Sequence, residues 1–339
     1  MGRARVEWPT VAVAAMIASG FVAMLAWHDR MPTALVLVAL AVLGGWYNSL
    51  QHEVIHEHPT PWHRINTALA ILPLGLVVRF SDYRESHIAH HRSPALTDPG
   101  QDPESFYVSA EAWDHYGPVR RTLLHVLRTL AGRLVLGPFV YAVRHWRFGF
   151  RALGTWASAT RVLGHVGGVI TVLIVVRSSG LPIWVYVVGV AWGGGALSLL
   201  RSFAEHRVID DGTRSAVVRC GWFFSMLYLN NNLHHTHHAQ PWVPWFDLPA
   251  AHVASGGDRA AADGAGLYRG YREIARRYLV FPFDSPIADT PARGAPVVAM
   301  EQTTTVPTGL TGRPVVFAEG PVVLTERPVV LTGGMESTR

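Results

Sequence analysis

The 339-residue chain contains 18 histidines, and their spacing is its most chemically informative feature. Three clusters stand out: His52-Glu-Val-Ile-His56, His87-Ile-Ala-His90-His91 and His234-His235-Thr-His237-His238. Residues three and four apart share one face of an α-helix, so His52 and His56 point one way. His87, His90 and His91, and likewise His234, His237 and His238, each present three imidazoles to one side. Adjacent members diverge by about 100°, enough to address two neighbouring ions. A structural zinc site takes about four ligands, so eight such rings are too many for one ion and suggest two, with positions left open. Imidazole suits zinc, copper, iron and nickel, and the choice among them must come from context. A single isolated histidine reads as a core or interface residue; three clusters at helical spacing do not.

At these residues the chain resembles the membrane-bound fatty acid desaturase superfamily, whose mark is three histidine boxes of the forms HxxxH or HxxxxH, HxxHH and HxxHH, in that order. The resemblance covers about residues 10 to 250 and includes two further stretches. Asp98-Pro99 and Asp102-Pro103 follow the second box, and Pro241-Trp-Val-Pro-Trp-Phe-Asp-Leu-Pro249 follows the third; the latter is similar to carotenoid ketolases as well as bacterial acyl desaturases. The resemblance implies about nine ligands holding two irons, with O2 as co-substrate. His206, in Arg201-Ser-Phe-Ala-Glu-His-Arg207, matches the family's additional histidine. Some relatives carry an asparagine four residues before it, where this chain has Ser202. The implied ligand set is therefore His52, His56, His87, His90, His91, His206, His234, His237 and His238.

Four apolar stretches must position these residues: 9–27, 33–50, about 162–177 and 182–200, against the roughly 20 residues a bilayer-spanning helix needs. Short links, His28 to Pro32 and Arg177 to Pro182, join them into two hairpins. The second span leads to His52 and the fourth to His206, which places the site where helices emerge rather than at mid-membrane. The expected fold is an all-α integral membrane protein: four transmembrane helices in two hairpins, with a cytoplasmic helical cap carrying the boxes. The orientation follows from arginine: Arg3 and Arg5 precede the first span and twelve arginines lie between residues 51 and 161, against one in each hairpin loop. Asn66 to Phe80 has only 15 residues, about 22 Å of helix. One crossing there would put boxes one and two on opposite sides, so it reads as an interfacial or re-entrant helix. The N-terminal apolar run has no small-x-small cleavage site and reads as a retained anchor.

The formal charge of +5 reflects this arginine asymmetry. Nucleic acid is not an expected partner, because no basic motif with interleaved aromatics appears. All 29 basic residues are arginine, which we attribute to codon usage. Cys220, the one cysteine, reads as a packed small hydrophobe and cannot hold an iron–sulfur cluster, which needs about four thiolates. No haem attachment motif, Gly-x-Gly-x-x-Gly fingerprint or fused cytochrome b5-type motif is present. The resemblance thus implies an external electron donor (ferredoxin, rubredoxin or cytochrome-type) with its reductase. Residues 1–285 read as the membrane-embedded di-iron desaturase-like domain. Residues 286–339 read as a disordered tail, in which Pro-Val-Val recurs at Pro296, Pro314, Pro321 and Pro328. Leu267 to Arg277 has the pattern of a helix on the membrane surface.

A metal-bound imidazole usually gives its other N–H to a carboxylate or carbonyl. The candidates near in sequence are Glu53, Glu57, Glu85, Asp98, Asp102, Glu205, Asn230, Asn231, Asn232 and Asp247. Glu53 and Glu57 are expected to turn away from His52 and His56. His58 and His235 are reserve ligands; His63, His115, His125, His145 and His165 lack cluster spacing. Arg120, Arg121 and Arg128 read as a positive-inside surface rather than a phosphate site. Removing hydrogen from an unactivated methylene needs a strong oxidant, and zinc has no redox chemistry. The expected activity is double-bond introduction into the acyl chain of a fatty acid or lipid substrate in a bacterial inner membrane. Hydroxylation or ketolation of a fatty acyl or carotenoid-like lipid is the alternative. A histidine-rich metal transporter or sensor is a distant one, since transporters place ligands near the midplane.

Overall fold

A computed structural model describes residues 5–151 and 156–288 of the chain. Among the described residues, four helices are long and apolar enough to cross a membrane: Trp8–Arg30, Thr33–Ile55, Ser158–Ser178 and Ile183–Ser202. The first span is α1 (Trp8–Trp27) with a 3-10 turn (His28–Arg30), and the second is α2 (Thr33–Ile55). Pro32 and Pro182 sit at the N-caps of the second and fourth spans, where a missing N–H is harmless. Proline thus resets the chain at the turn of each hairpin.

After α2 come α3 (His63–Ala70) and α4 (Phe80–Arg92). The expected single helix over Asn66 to Phe80 is not formed: Pro73 and Gly75 fall inside it, and the chain from Ile71 to Val78 is non-helical. Irregular backbone packed among apolar helices needs partners for its polar groups, and three spans provide them. The Tyr47 hydroxyl shares its proton between the carbonyls of Ala70 (2.8 Å) and Leu72 (2.7 Å), and the Gln51 side-chain N–H also donates to Ala70 (2.8 Å). Tyr186 donates to the Leu74 carbonyl (2.9 Å), and the His165 ring bonds the Leu76 carbonyl (3.1 Å). The segment forms no spanning helix, and boxes one and two meet at one site.

Next follow α5 (Ala110–Asp114), α6 (Pro118–Leu127) and α7 (Leu130–Arg151), with α6 and α7 bent by 116°. The third span lies within α8 (Trp156–Ser178). The fourth is α9 (Ile183–Tyr186), a π-helical stretch Val187–Gly194, and α10 (Gly195–Ser202). Its glycines allow it to run alongside α2, in the same direction, at backbone contact. A Cβ on Gly194 would lie 2.9 Å from the Gly44 Cα, and one on Gly44 would lie 3.0 Å from the Val190 carbonyl oxygen. In a lipid environment such small-residue faces give helices close van der Waals packing. This contact puts the ends of α2 and the fourth span, and so His52 and His206, side by side.

The remaining cap comprises α11 (Trp222–Leu227), α12 (His234–Ala239), α13 (Leu248–Ser255), α14 (Gly257–Ala262) and α15 (Tyr271–Tyr278). Two short parallel strand pairs tie distant segments: β1 (Val108–Ser109) with β4 (Ile287–Ala288), and β2 (Val217–Val218) with β3 (Leu267–Tyr268). The surface helix expected over Leu267 to Arg277 is therefore a strand followed by a shorter helix, broken at Gly270, whose φ of 146° suits glycine. One apolar core lies among the spans (Ile17, Leu40, Tyr186, Val190) and a second under the cap (Phe203, Tyr228, Tyr271, Ile274). β4 falls within the stretch read as tail; the rest of that stretch, from residue 289, lies outside the described residues.

Candidate metal centre

His52 occupies the last turn of α2 and His56 the residue after Ile55; His87, His90 and His91 lie on α4 and His234, His237 and His238 on α12. His206 follows the fourth span, bridged to Ser215. All nine converge on the histidine side of the spans, in two groups. His52, His56, His87, His91 and His237 form one; His90, His206, His234 and His238 form the other. Within each group the ligating atoms lie within 4.8 Å of one another. Helical geometry explains the sorting: the i, i+4 pairs His87/His91 and His234/His238 each stay in one group. The i+3 members, His90 and His237, cross to the other.

The donor set fits metal ions on chemical grounds. His87 Nδ1 donates to Glu104 (3.1 Å), His90 Nδ1 to Asp102 (2.7 Å), His206 Nδ1 to the Arg214 carbonyl (3.2 Å) and His234 Nδ1 to Asn231 Oδ1 (3.1 Å). A neutral ring with its proton on Nδ1 carries a lone pair on Nε2. The Nε2 atoms of His206 and His234 nevertheless face each other at 2.9 Å, an arrangement that lone pairs tolerate with a cation between them. Other facing Nε2 pairs lie at 3.0 to 3.2 Å, His90/His206 at 3.0 Å and His87/His56 at 3.2 Å among them. An ion about 2.1 Å from each nitrogen puts neighbouring ligands about 3.0 Å apart in octahedral geometry and about 3.4 Å in tetrahedral geometry. The observed separations fall in the range that nitrogens sharing one ion would take.

Burial first, and the neighbouring rings second, hold His91 at about 2 and His206 at about 3. The same causes push His234, His237 and His238 well below the ordinary histidine range. His90 is raised, because its bond to Asp102 and the nearby carboxylates outweigh burial. Burial pushes Asp102 and Glu104 up, yet His90 and His87 respectively outweigh it, so both stay below the carboxylate range. Glu53 and Glu205 complete a set of four acids around the two groups, 3.9 Å from His52 and 3.5 Å from His234. Burial raises Glu205 despite its ion pair with Arg201.

The sequence profile described as Fatty acid desaturase matches residues 30–269. The chain belongs to the fatty acid desaturase family. Among curated proteins, none matches it. Within this desaturase-family chain several residues take places other than those expected from sequence. Glu53 is buried and accepts from the Trp245 backbone N–H (3.2 Å), so Pro241 to Pro249 fastens onto box one. Glu57 lies past the end of α2 and pairs with Arg84 and His63. His58 stands apart from both groups and bonds Glu7 (2.7 Å), while His235 bonds Thr213 (3.1 Å). Arg128 is not part of the expected positive surface: it is buried, pairs with Asp284 and packs on Tyr107. Asn230 and Asn232 serve the Trp245 and Val218 carbonyls, and Glu85 pairs with Arg161. Glu104 and the Arg214 carbonyl escaped the sequence reading. Glu104 had a signal, since it directly follows Asp102-Pro103; a backbone carbonyl has none.

Proposed function

We propose that this protein is a membrane di-iron oxidoreductase that uses O2 to introduce a double bond into the acyl chain of a fatty acid or lipid. The observation that carries the reading is the convergence of nine imidazoles into two groups, with no carboxylate among their candidate ligand atoms in the described residues. The proposed ligands are His52, His56, His87, His91 and His237 for one ion and His90, His206, His234 and His238 for the other. Iron, unlike zinc, supplies the redox chemistry needed to break an unactivated C–H bond.

The chain's own residues prepare the site. Asp102, Glu104, Asn231 and the Arg214 carbonyl hold protons on Nδ1, so the opposite nitrogens are free to ligate. Two divalent ions carry four positive charges, and Glu53, Asp102 and Glu104 place acidic groups beside the candidate ligands, while Glu205 near His234 is already ion-paired with Arg201. Position supports a lipid substrate: the groups sit at the ends of α2 and the fourth span, within reach of a chain lying in the bilayer. With a single cysteine, Cys220, electrons come from a separate donor of the ferredoxin, rubredoxin or cytochrome type. The arginine distribution supports a cytoplasmic location for the site.

The test is metal and product analysis together. Purified protein should hold about two irons per chain, and expression with a redox partner in a lipid-defined host should yield a new unsaturated acyl chain. A hydroxylated or oxo product alone would reject desaturation while keeping the chemistry. Zinc moved across vesicles without substrate oxidation would reject the oxidoreductase.

A further inference from the structure

The third histidine box sits on α12, a helix of six residues, His234–Ala239, with no side-chain cap at its N-terminus. Isolated helices shorter than about 12–15 residues are marginal, so the surroundings of α12 decide how it is turned about its axis. That rotation concerns both groups at once, because His237 belongs to the five-histidine group and His234 and His238 to the four-histidine group. With 3.6 residues per turn, Thr236 lies roughly 160° around the helix from His234 and His238 and about 100° from His237. On this back face its hydroxyl is bonded to the ring of His252 on α13, with Oγ1 2.7 Å from Nδ1. Thr236 is 0% exposed and His252 7%.

The far side of the ring fixes the direction of that bond. His252 Nε2 lies 3.1 Å from Asp258 Oδ1, and Asp258 also pairs with Arg219. A carboxylate offers only acceptors, so Nε2 carries the proton and donates to Asp258. Nδ1 is left with a lone pair and accepts from the Thr236 hydroxyl. Gly257 presses against the inner bond: a Cβ there would lie 2.3 Å from His252 Nδ1 and 2.6 Å from Thr236 Oγ1.

We propose that Thr236 and His252 are positioning residues that fix the rotation of α12, and with it the aim of His234, His237 and His238 at the two metal sites. This rests on the reading of the nine histidines as ligands. The His235 N–H, bonded to the Ala216 carbonyl (3.0 Å), anchors the helix at its start, and Thr236 holds its middle from behind. Because one helix serves both groups, freeing it weakens both ions. Loss of a proton acceptor such as Asp102, which bonds one ring of one group, weakens one.

Ferrous iron titrated anaerobically into detergent-purified, metal-free full-length protein, in competition with a chromophoric chelator, tests this. Wild type should take up two irons. Thr236→Val keeps the shape but not the hydroxyl and should weaken both irons about 10- to 100-fold, while Thr236→Ser, which keeps the donor, should restore both. His252→Leu breaks the same bond from the other end; Asp258, with its side chain 37% exposed, stays hydrated. The double variant Thr236→Val/His252→Leu should lose no more than either single one, because both remove one interaction. Measurements use the monodisperse fraction, and Thr236→Ala replaces the valine variant if that leaves none. Wild-type affinity in the single variants, a loss confined to one iron, a serine variant no better than valine, or additive losses in the double variant overturns the proposal. Wild-type protein that binds no iron overturns instead the di-iron reading on which it rests.

Discussion

Replacing Asp102 by asparagine isolates the part of the site that works through a proton rather than a ligand. Asp102 is 3% exposed. Its Oδ1 accepts from His90 Nδ1 (2.7 Å) and the Glu104 N–H (2.9 Å), and its Oδ2 accepts from the Thr97 N–H (2.9 Å). Asparagine has nearly the same shape, but one of its two positions is a donor. If its NH2 faces Thr97, two donors meet at a buried 2.9 Å contact, and the loop from Thr97 to Glu104 loosens. If the amide turns, NH2 faces His90, drives the His90 proton to Nε2 and removes the lone pair that points into the four-histidine group. A charge-assisted hydrogen bond contributes about 1.5–3 kcal/mol and an unsatisfied buried donor costs about 1–3 kcal/mol. Altering such a partner typically lowers metal affinity by about 10- to 100-fold, or about 1.4–2.8 kcal/mol. Asp102→Asn should lose that much at one of two irons, with a parallel fall in turnover. The control is Asp263→Asn, whose exposed pair with Arg259 contributes about 0–1 kcal/mol and should leave both unchanged. The assay is competition titration against a chromophoric chelator, followed by product formation at saturating iron. Wild-type affinity and turnover in Asp102→Asn would refute the reasoning.

Four further outcomes follow from the same geometry. His90→Ala and His237→Ala should each abolish turnover while membrane insertion is kept, whereas His58→Gln, which alters the contact to Glu7 away from both groups, should keep both irons; wild-type rates in either alanine variant would remove that residue from the site. Tyr47→Phe leaves the Leu72 carbonyl without its bond while Gln51 still serves Ala70, so thermal unfolding in detergent should show a loss of about 1–3 kcal/mol. Gly194→Leu should separate α2 from the fourth span, because its Cβ already meets the Gly44 backbone at 2.9 Å; size-exclusion profiles should show loss of folded protein together with loss of bound iron. Chelation of the metal should lower stability by about 4 kcal/mol relative to protein at free iron 1,000-fold above Kd, read as a fall in melting temperature that added iron reverses.

The sequence by itself determined the candidate ligand types, their helical spacing and the spans that carry them. Each is a local property: HxxHH puts three rings on one face of a helix wherever that helix lies, and an apolar run of about 20 residues has few other stable places. Parity of crossings also fixed the return of the chain between boxes one and two. Its form as an irregular segment held by Tyr47, Tyr186 and His165 was not legible, because those residues are distant in sequence and reach ordinary carbonyls. Tertiary structure alone decided which rings share a group, sending His90 and His237 across from their neighbours, and which candidate partners serve them. Glu53 and Glu57 are four residues apart on what reads as one face, yet α2 ends between them, and one is buried at box one while the other turns to Arg84. Spacing along a helix names the atoms that can meet, but only the packing of α2, α4, α12 and the fourth span decides which of them do.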